Sequence, residues 1–192
     1  MTDTERRIIE AAIQTFVRYG AKKTTMADIA DAADVSRQTV YASFKDKDGI
    51  IVACIRHITD QSLGAVRSKL VDAGSLEDEL DIYFAETILK SFELLQSAGD
   101  PEDLISGHNR AGKAEIERSH ERHKALIAEI LSPHAAQIAK TGQSAEEVSN
   151  FLVTAAMGFK SSTSDRAELD ALLKSLKLAV SSIAEAPSSE RR

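Results

Sequence analysis

The sequence predicts an all-α protein, with an N-terminal three-helix head carrying a helix-turn-helix and a larger C-terminal helical body, about nine helices in all. Three observations carry this. Apolar residues recur at helical spacing in segment after segment, from Ile9, Ala12, Ile13 and Phe16 near the start to Leu169, Leu173, Leu176 and Val180 near the end. The stretch from Thr25 to Phe44 reads as two short helices joined by a tight turn, with a polar face left over on the second. The composition, 43% hydrophobic and 28% charged with three prolines and nine glycines in 192 residues, argues against disorder or a fibrous repeat and leaves enough chain to enclose a ligand.

The first helix, with Ile9, Ala12, Ile13 and Phe16 on one face, is expected to end at Tyr19-Gly20. Thr25 is a good N-cap for the second, with Asp28 three places later and Met26, Ile29, Ala30 and Ala33 on one buried stripe, giving a helix of about two turns. Asp34-Val35 breaks the pattern. Ser36 then caps a third helix whose apolar residues, Val40 and Phe44, are four apart, leaving Arg37, Gln38 and Thr39 exposed at its start. Those side chains can donate to or accept from base edges in a major groove, as the second helix of a helix-turn-helix does.

A helix ending in Tyr19-Gly20, Thr24-Thr25 opening the next, Ile29-Ala30, Val35-Ser36, Val40-Tyr41, Phe44 and a following Lys47 together form a specific pattern. Over residues 5 to 55 it resembles the DNA-binding head of the tetracycline-repressor (TetR) family of bacterial transcription regulators. The resemblance implies that Thr25, Tyr41 and Lys47 contact phosphates, with Ser36, Arg37, Gln38 and Thr39 completing the DNA-binding set. It also implies double-stranded operator DNA as a partner. Asp48-Gly49 departs from the family pattern, since Gly there costs up to about 1 kcal/mol against Ala, so the start of the fourth helix is expected to yield.

That fourth helix is expected from Asp48 to about Leu70, its early part nearly all apolar. Cys54, the single cysteine, lies on its Ile51, Cys54, Ile55, Ile58 stripe and reads as a small core residue in a reducing compartment. Asp72-Ala73-Gly74-Ser75 is a stop followed by a new N-cap. The next helix carries Leu76, Leu80, Tyr83, Phe84, Thr87, Ile88 and Ser91 on one stripe and Ile82, Ala85, Leu89 and Phe92 on another, and apolar faces on two sides predict a buried, central helix. Pro101 is placed to begin a short helix with Leu104 and Ile105. A long helix follows, with Ile116, His120, His123, Ile127 and Ile130 on one stripe and an interruption near Ser132-Pro133. Glu117, His120 and His123 share a face and could in principle ligate a metal, but no second ligand cluster accompanies them. No metal or cofactor is therefore expected, and the histidines read as a polar patch or cavity lining.

Two amphipathic helices close the body, one through Val148, Leu152, Ala155 and Phe159, the other through Leu169, Leu172, Leu173 and Leu176. In TetR-like regulators the last two helices pair with their mates, so these eight residues are the expected interface of a homodimer. Residues 1–47 are thus expected to form the DNA-binding domain, 48–186 the effector-binding and dimerisation domain, and 187–192 a loose tail.

The formal charge is −6, yet residues 1–47 hold eight basic against seven acidic side chains, a balance of +1. That field is weak, so binding must depend on where individual cations point. No apolar run approaches a membrane span and no signal peptide is visible, so a cytoplasmic protein without a membrane partner is expected. No phosphate loop, nucleophile elbow or paired zinc motif supports an enzyme.

The expected function is a ligand-responsive repressor released from its operator when a small molecule fills the body, the alternative being a helix-turn-helix protein with no effector. Tyr83, Thr87, His120 and His123 interrupt aliphatic stripes, as a pocket with a few convergent polar groups requires. With Ile58, Phe151, His108 and Asn109 they are the expected lining of a site for an apolar or amphipathic effector.

Overall fold

The computed structural model describes residues 1–99 and 110–185, and among these no strand occurs. In chain order the helices are α1 (Asp3–Tyr19), α2 (Met26–Ala32), α3 (Arg37–Ser43), α4 (Lys47–Lys69), α5 (Leu76–Tyr83), a π-helical segment (Phe84–Leu89), α6 (Lys90–Gln96), α7 (Arg110–Leu131), α8 (Ala135–Ile138), α9 (Ala145–Ser162) and α10 (Arg166–Ala184). With α5, the π segment and α6 taken as one run, this is close to the expected nine. The short helix expected at Pro101–Ile105 and the tail 187–192 lie outside the described residues.

Helix starts follow local chemistry. The hydroxyls of Thr2, Thr25, Ser36, Ser75 and Ser144 each accept from the main-chain N–H three residues on, satisfying a donor the helix cannot pair itself. At α4 the cap is Asp46, whose Oδ1 accepts from Gly49 N at 2.9 Å.

The described residues fold into two compact units, one within Met1–Gln61 and Ser91–Ser119, the other within Ser62–Lys90 and His120–Arg192. The core of the first gathers Ile8, Ala12 and Phe16 of α1, Ile29 and Ala30 of α2, Val40 of α3 and Ile50, Ile51 and Cys54 of α4. Ile8, Ile29, Val40 and Ile50 are fully buried, each contributing about 1.5–3 kcal/mol by removal from water. The Cys54 sulfur lies 3.7 Å from the Ile9 carbonyl oxygen, and burial pushes its thiol up to about 12. In the same unit α4 is tied to α7 by two contacts. Arg56 donates twice to the buried Glu115, at 3.0 and 3.1 Å, and the Thr59 and Ser119 hydroxyls are 2.7 Å apart.

In the second unit α9 packs on α10, α10 on α5 and α8, and the π segment on α9. The π segment corrects the expected second apolar face of its helix. Of Ile82, Ala85, Leu89 and Phe92 only Phe92 is fully buried and Ala85 is exposed, while Tyr83, Phe84, Glu86, Thr87 and Ile88 are buried nearly in succession. The other stripe keeps its helical spacing at Leu76, Leu80, Tyr83, Phe84, Thr87 and Ile88, and the wider turn accompanies the burial of Glu86 beside it. Glu86 is held there by Lys69, at 2.6 Å, and by Lys90 one turn on.

The leucine stripes need a second correction. Val148, Leu152, Leu169, Leu173 and Leu176 are buried within the chain's own core, so they cannot form a face for a second copy. Ala155, Phe159 and Leu172 are half-buried at its edge. No described helix is long and apolar enough to cross a membrane.

Candidate nucleic-acid interface

The helix-turn-helix is α2, the turn 33–36 and α3. The Thr25 hydroxyl accepts from Asp28 N, while the Asp28 carboxylate accepts from Thr25 N and Oγ1, each at 2.8 Å. Those hydrogen bonds, the main-chain one foremost, hold the Asp28 carboxyl below the usual carboxylate range, with a smaller contribution from Arg37. Thr25 therefore sets the start of α2 and leaves its side chain exposed on the surface.

The turn is a Schellman motif. Val35 N donates to Ala30 O at 3.1 Å and Asp34 N to Asp31 O at 3.3 Å, and Asp34 adopts a φ of 51°, a left-handed conformation that Asp tolerates better than most side chains. The turn is also held from outside, since Arg7 of α1 donates to Ala33 O at 2.9 Å and to Asp34 O at 3.4 Å. The loop before α2 is closed in the same way by Lys47, whose ammonium reaches Ala21 O at 2.7 Å, Thr24 O at 3.0 Å and Lys22 O at 3.4 Å.

The third helix is anchored by Val40, which is fully buried, with Val35 and Phe44 packed on the same core. Fixing that face turns Arg37, Gln38, Tyr41 and Ala42 outward, Tyr41 with 56% of its surface exposed. Thr39 lies on the flank, half-buried, its hydroxyl 2.8 Å from that of Ser36, which also accepts from Thr39 N at 3.1 Å. Ser36 and Thr39 thus close the start of α3, while Arg37, Gln38 and Tyr41 form its open polar face. A second exposed aromatic stands nearby in the chain at Tyr19, with the Arg18 guanidinium 5.1 Å above its ring.

The residues expected around an effector are distributed unevenly. Tyr83, Thr87 and His123 come together in the second unit. Tyr83 Oη and His123 Nδ1 are 3.1 Å apart, their rings meet edge-on at 5.8 Å, and Thr87 Oγ1 donates to Tyr83 O at 2.6 Å. Desolvation, reinforced by the charges of Lys160, His120 and Arg122, lowers His123 to about 4, and burial pushes the Tyr83 hydroxyl up. His120 is half-buried in that unit, and Ile58 is half-buried in the first. Phe151 is not brought in. It is 47% exposed on the outward face of α9, which corrects its assignment to an interior wall. His108 and Asn109 lie outside the described residues.

Sequence reasoning missed Arg7 and Lys47 as partners of main-chain carbonyls, and Glu86 and Glu115 as buried acids. Nothing local separates Arg7 from Arg6, which pairs with Asp3 on the surface. A Glu inside an apolar stripe was the available signal at Glu86, with Lys90 four residues on.

A family profile described as "Bacterial regulatory proteins, tetR family" matches residues 8–54. The chain is 34% identical over 89 residues to the HTH-type transcriptional regulator YvkB of Bacillus subtilis, covering 42% of this chain and 47% of that protein. It is 37% identical over 79 residues to the HTH-type transcriptional regulator TtgR of Pseudomonas putida, covering 41% and 35% respectively. The match thus spans less than half the length of either relative. Whole-chain likeness is to solved structures. The fatty acid degradation regulator FadR from Bacillus halodurans superposes with a TM-score of 0.70 at 16% identity, over 100% of this chain and 99% of that one. A TetR transcriptional regulator from Legionella pneumophila gives 0.69 at 14%, over 93% and 98%. At those identities the likeness is one of fold.

Proposed function

We propose, for a chain that belongs to the tetR family of bacterial regulatory proteins, the role of a homodimeric repressor that leaves its operator when a small molecule binds the body. The observation that carries it is the open face of Arg37, Gln38 and Tyr41 on a helix whose other face is anchored by Val40 and whose preceding turn is pinned by Arg7. A rigidly mounted polar helix face is what major-groove readout requires. Arg37 and Gln38 are the candidate base readers, and Thr25, Tyr41 and Lys47 the candidate phosphate contacts. Ser36 and Thr39 hold the helix start from which those contacts are made. On this reading residues 1–47 act as the DNA-binding domain and 48–186 as the regulatory one, in the cytoplasm.

Pairing is ascribed to the outward faces of the last two helices. On α9 the exposed row Phe151, Thr154, Gly158 and Ser161 carries no charge, and on α10 the exposed row is Ala171, Ser175, Leu178 and Ser182. Small uncharged side chains let two helices approach closely, and a Cβ added at Gly158 would meet nothing within 4 Å. Two heads bound together gain affinity through effective concentration, which a head with a charge balance of +1 needs.

The effector is placed beside Tyr83, Thr87 and His123, where buried polar groups stand among aliphatics, and is apolar or amphipathic. One observation favours the effector-free alternative, since Tyr83 and His123 already satisfy each other. Selection of duplexes from a random DNA pool, followed by titration of the selected duplex with and without a panel of amphipathic compounds, tests both parts. No preferred duplex sinks the regulator, whereas a preferred duplex with no compound shifting either melting or operator affinity leaves the effector-free regulator.

A further inference from the structure

The chain passes from one compact unit to the other within α6, between Lys90 and Ser91. The end of that helix stays ordered by main-chain bonds, Ser97 N to Glu93 O at 3.0 Å and Ala98 N to Leu95 O at 3.1 Å. The next residue meets α1. A helix leaves its last four carbonyls without partners inside the helix, and in α1 these belong to Phe16, Val17, Arg18 and Tyr19. Gly20 N takes Phe16 O at 2.8 Å, the ordinary local solution. Val17 O is taken by Gly99 N, at 3.0 Å, from a segment far away in sequence.

The approach is close enough to demand glycine. A Cβ at residue 99 would lie 2.8 Å from Arg18 O, a main-chain atom, and 3.7 Å from Arg18 C, so any other side chain has to move the chain or open the bond. What lies beyond the joint is the mount of the recognition helix, because α1 carries both Arg7, which pins the turn before α3, and the Ile8, Ala12 and Phe16 face of the head's core.

We propose that the joint of Gly99 on the C-terminal end of α1 is a regulatory contact, which while closed holds the head in its operator-binding arrangement and on opening lets that arrangement go. This rests on the reading of the chain as a DNA-binding regulator. By linkage the dependence is reciprocal, so operator must close the joint as strongly as the joint favours operator.

The test uses the full-length protein and a duplex selected by it from random DNA. Gly99→Ala raises the Kd for the selected duplex about tenfold, within the range usual for such couplings, and leaves affinity for an unrelated duplex unchanged. Gly64→Ala, whose Cβ meets nothing within 4 Å, is the control and leaves both unchanged. A Gly99→Ala protein whose residue-99 amide has lost its exchange protection but which binds the selected duplex within twofold of wild type overturns the proposal. The wild-type protein gives an answer without substitution. Bound to the selected duplex, its Gly99 amide exchanges about tenfold more slowly than in the free protein, and an unchanged rate overturns the proposal even if Gly99→Ala does not fold. Failure of the wild type to select any preferred duplex is a different result, overturning the regulator reading and the joint's role with it.

Discussion

Lys47 closes the loop before α2 and Arg7 closes the turn after it, so the helix that precedes α3 is clamped at both ends by cations donating to main-chain carbonyls. Two of the eight basic side chains in residues 1–47 therefore have a structural task.

For Lys47→Ala the expected result is a loss of stability of about 1–3 kcal/mol, the usual range for charge-assisted hydrogen bonds, read by urea titration. The side chain is only partly buried. The substitution is therefore also expected to weaken all duplexes alike and to reduce the salt slope by about 1. A stability loss with an unchanged slope would restrict Lys47 to the loop and remove it from the phosphate contacts.

The face of α3 divides by residue. Gln38→Ala is expected to cost about 1–3 kcal/mol mainly at one base pair, measured by binding to a panel of singly substituted duplexes. Ser36→Ala acts otherwise, lowering protein stability by about 1 kcal/mol through loss of the helix cap and weakening every duplex equally. A change of base preference in Ser36→Ala, or none in Gln38→Ala, would refute this division.

Charge at Thr154 or Gly158, as in Thr154→Lys or Gly158→Asp, is expected to give folded monomers in sedimentation, since both positions face outward. Leu173→Asp is expected to unfold the chain instead, because Leu173 is 3% exposed and a charge there would be buried without a partner. A Thr154→Lys protein that stays dimeric would place pairing elsewhere.

The pH dependence of stability separates His123 from the buried acids. Its ordinary value of 6.5 falls to about 4 in the folded chain, so between these values the unfolded chain binds the extra proton. Stability is therefore full above pH 6.5 and declines as pH falls towards 4, by at most about 3 kcal/mol for a shift of this size. Glu86 and Glu115 are held below the usual carboxylate range, chiefly by Lys69 and by Arg56 respectively, so their contribution is lost only below 4.5. Thermal melting of His123→Leu across this range should flatten the upper part of the curve and keep the lower. An unchanged slope between 6.5 and 4.5 would mean that His123 is not held neutral.

The order of the helices was legible because capping residues and apolar period are local. Thr25 with Asp28, Ser36 and Ser75 each announce a helix within four residues. The leucine stripes of α9 and α10 were legible as stripes, but period alone does not say whether the partner is the chain's own core or a second copy. Phe151 shows the same limit, since an aromatic on an amphipathic helix fits an inner wall or an outer face equally well. Long-range pairs such as Arg7 with Ala33 O or Gly99 with Val17 O leave no local mark, because their geometry exists only once the helices have packed. The Tyr83–His123 bond was anticipated only as two polar interruptions on separate stripes.

With its thiol pushed up to about 12, Cys54 is almost wholly protonated near neutral pH and lies out of reach of reagents. The unaltered protein is therefore already a blank background for site-specific labelling. A cysteine introduced at exposed Gln38 or Leu178 would react with a maleimide probe while Cys54 stays silent, so a dye reporting on the open face of α3 or on the outer face of α10 needs one substitution. Reaction of the unfolded chain at Cys54 supplies, in the same sample, a chemical clock for global opening.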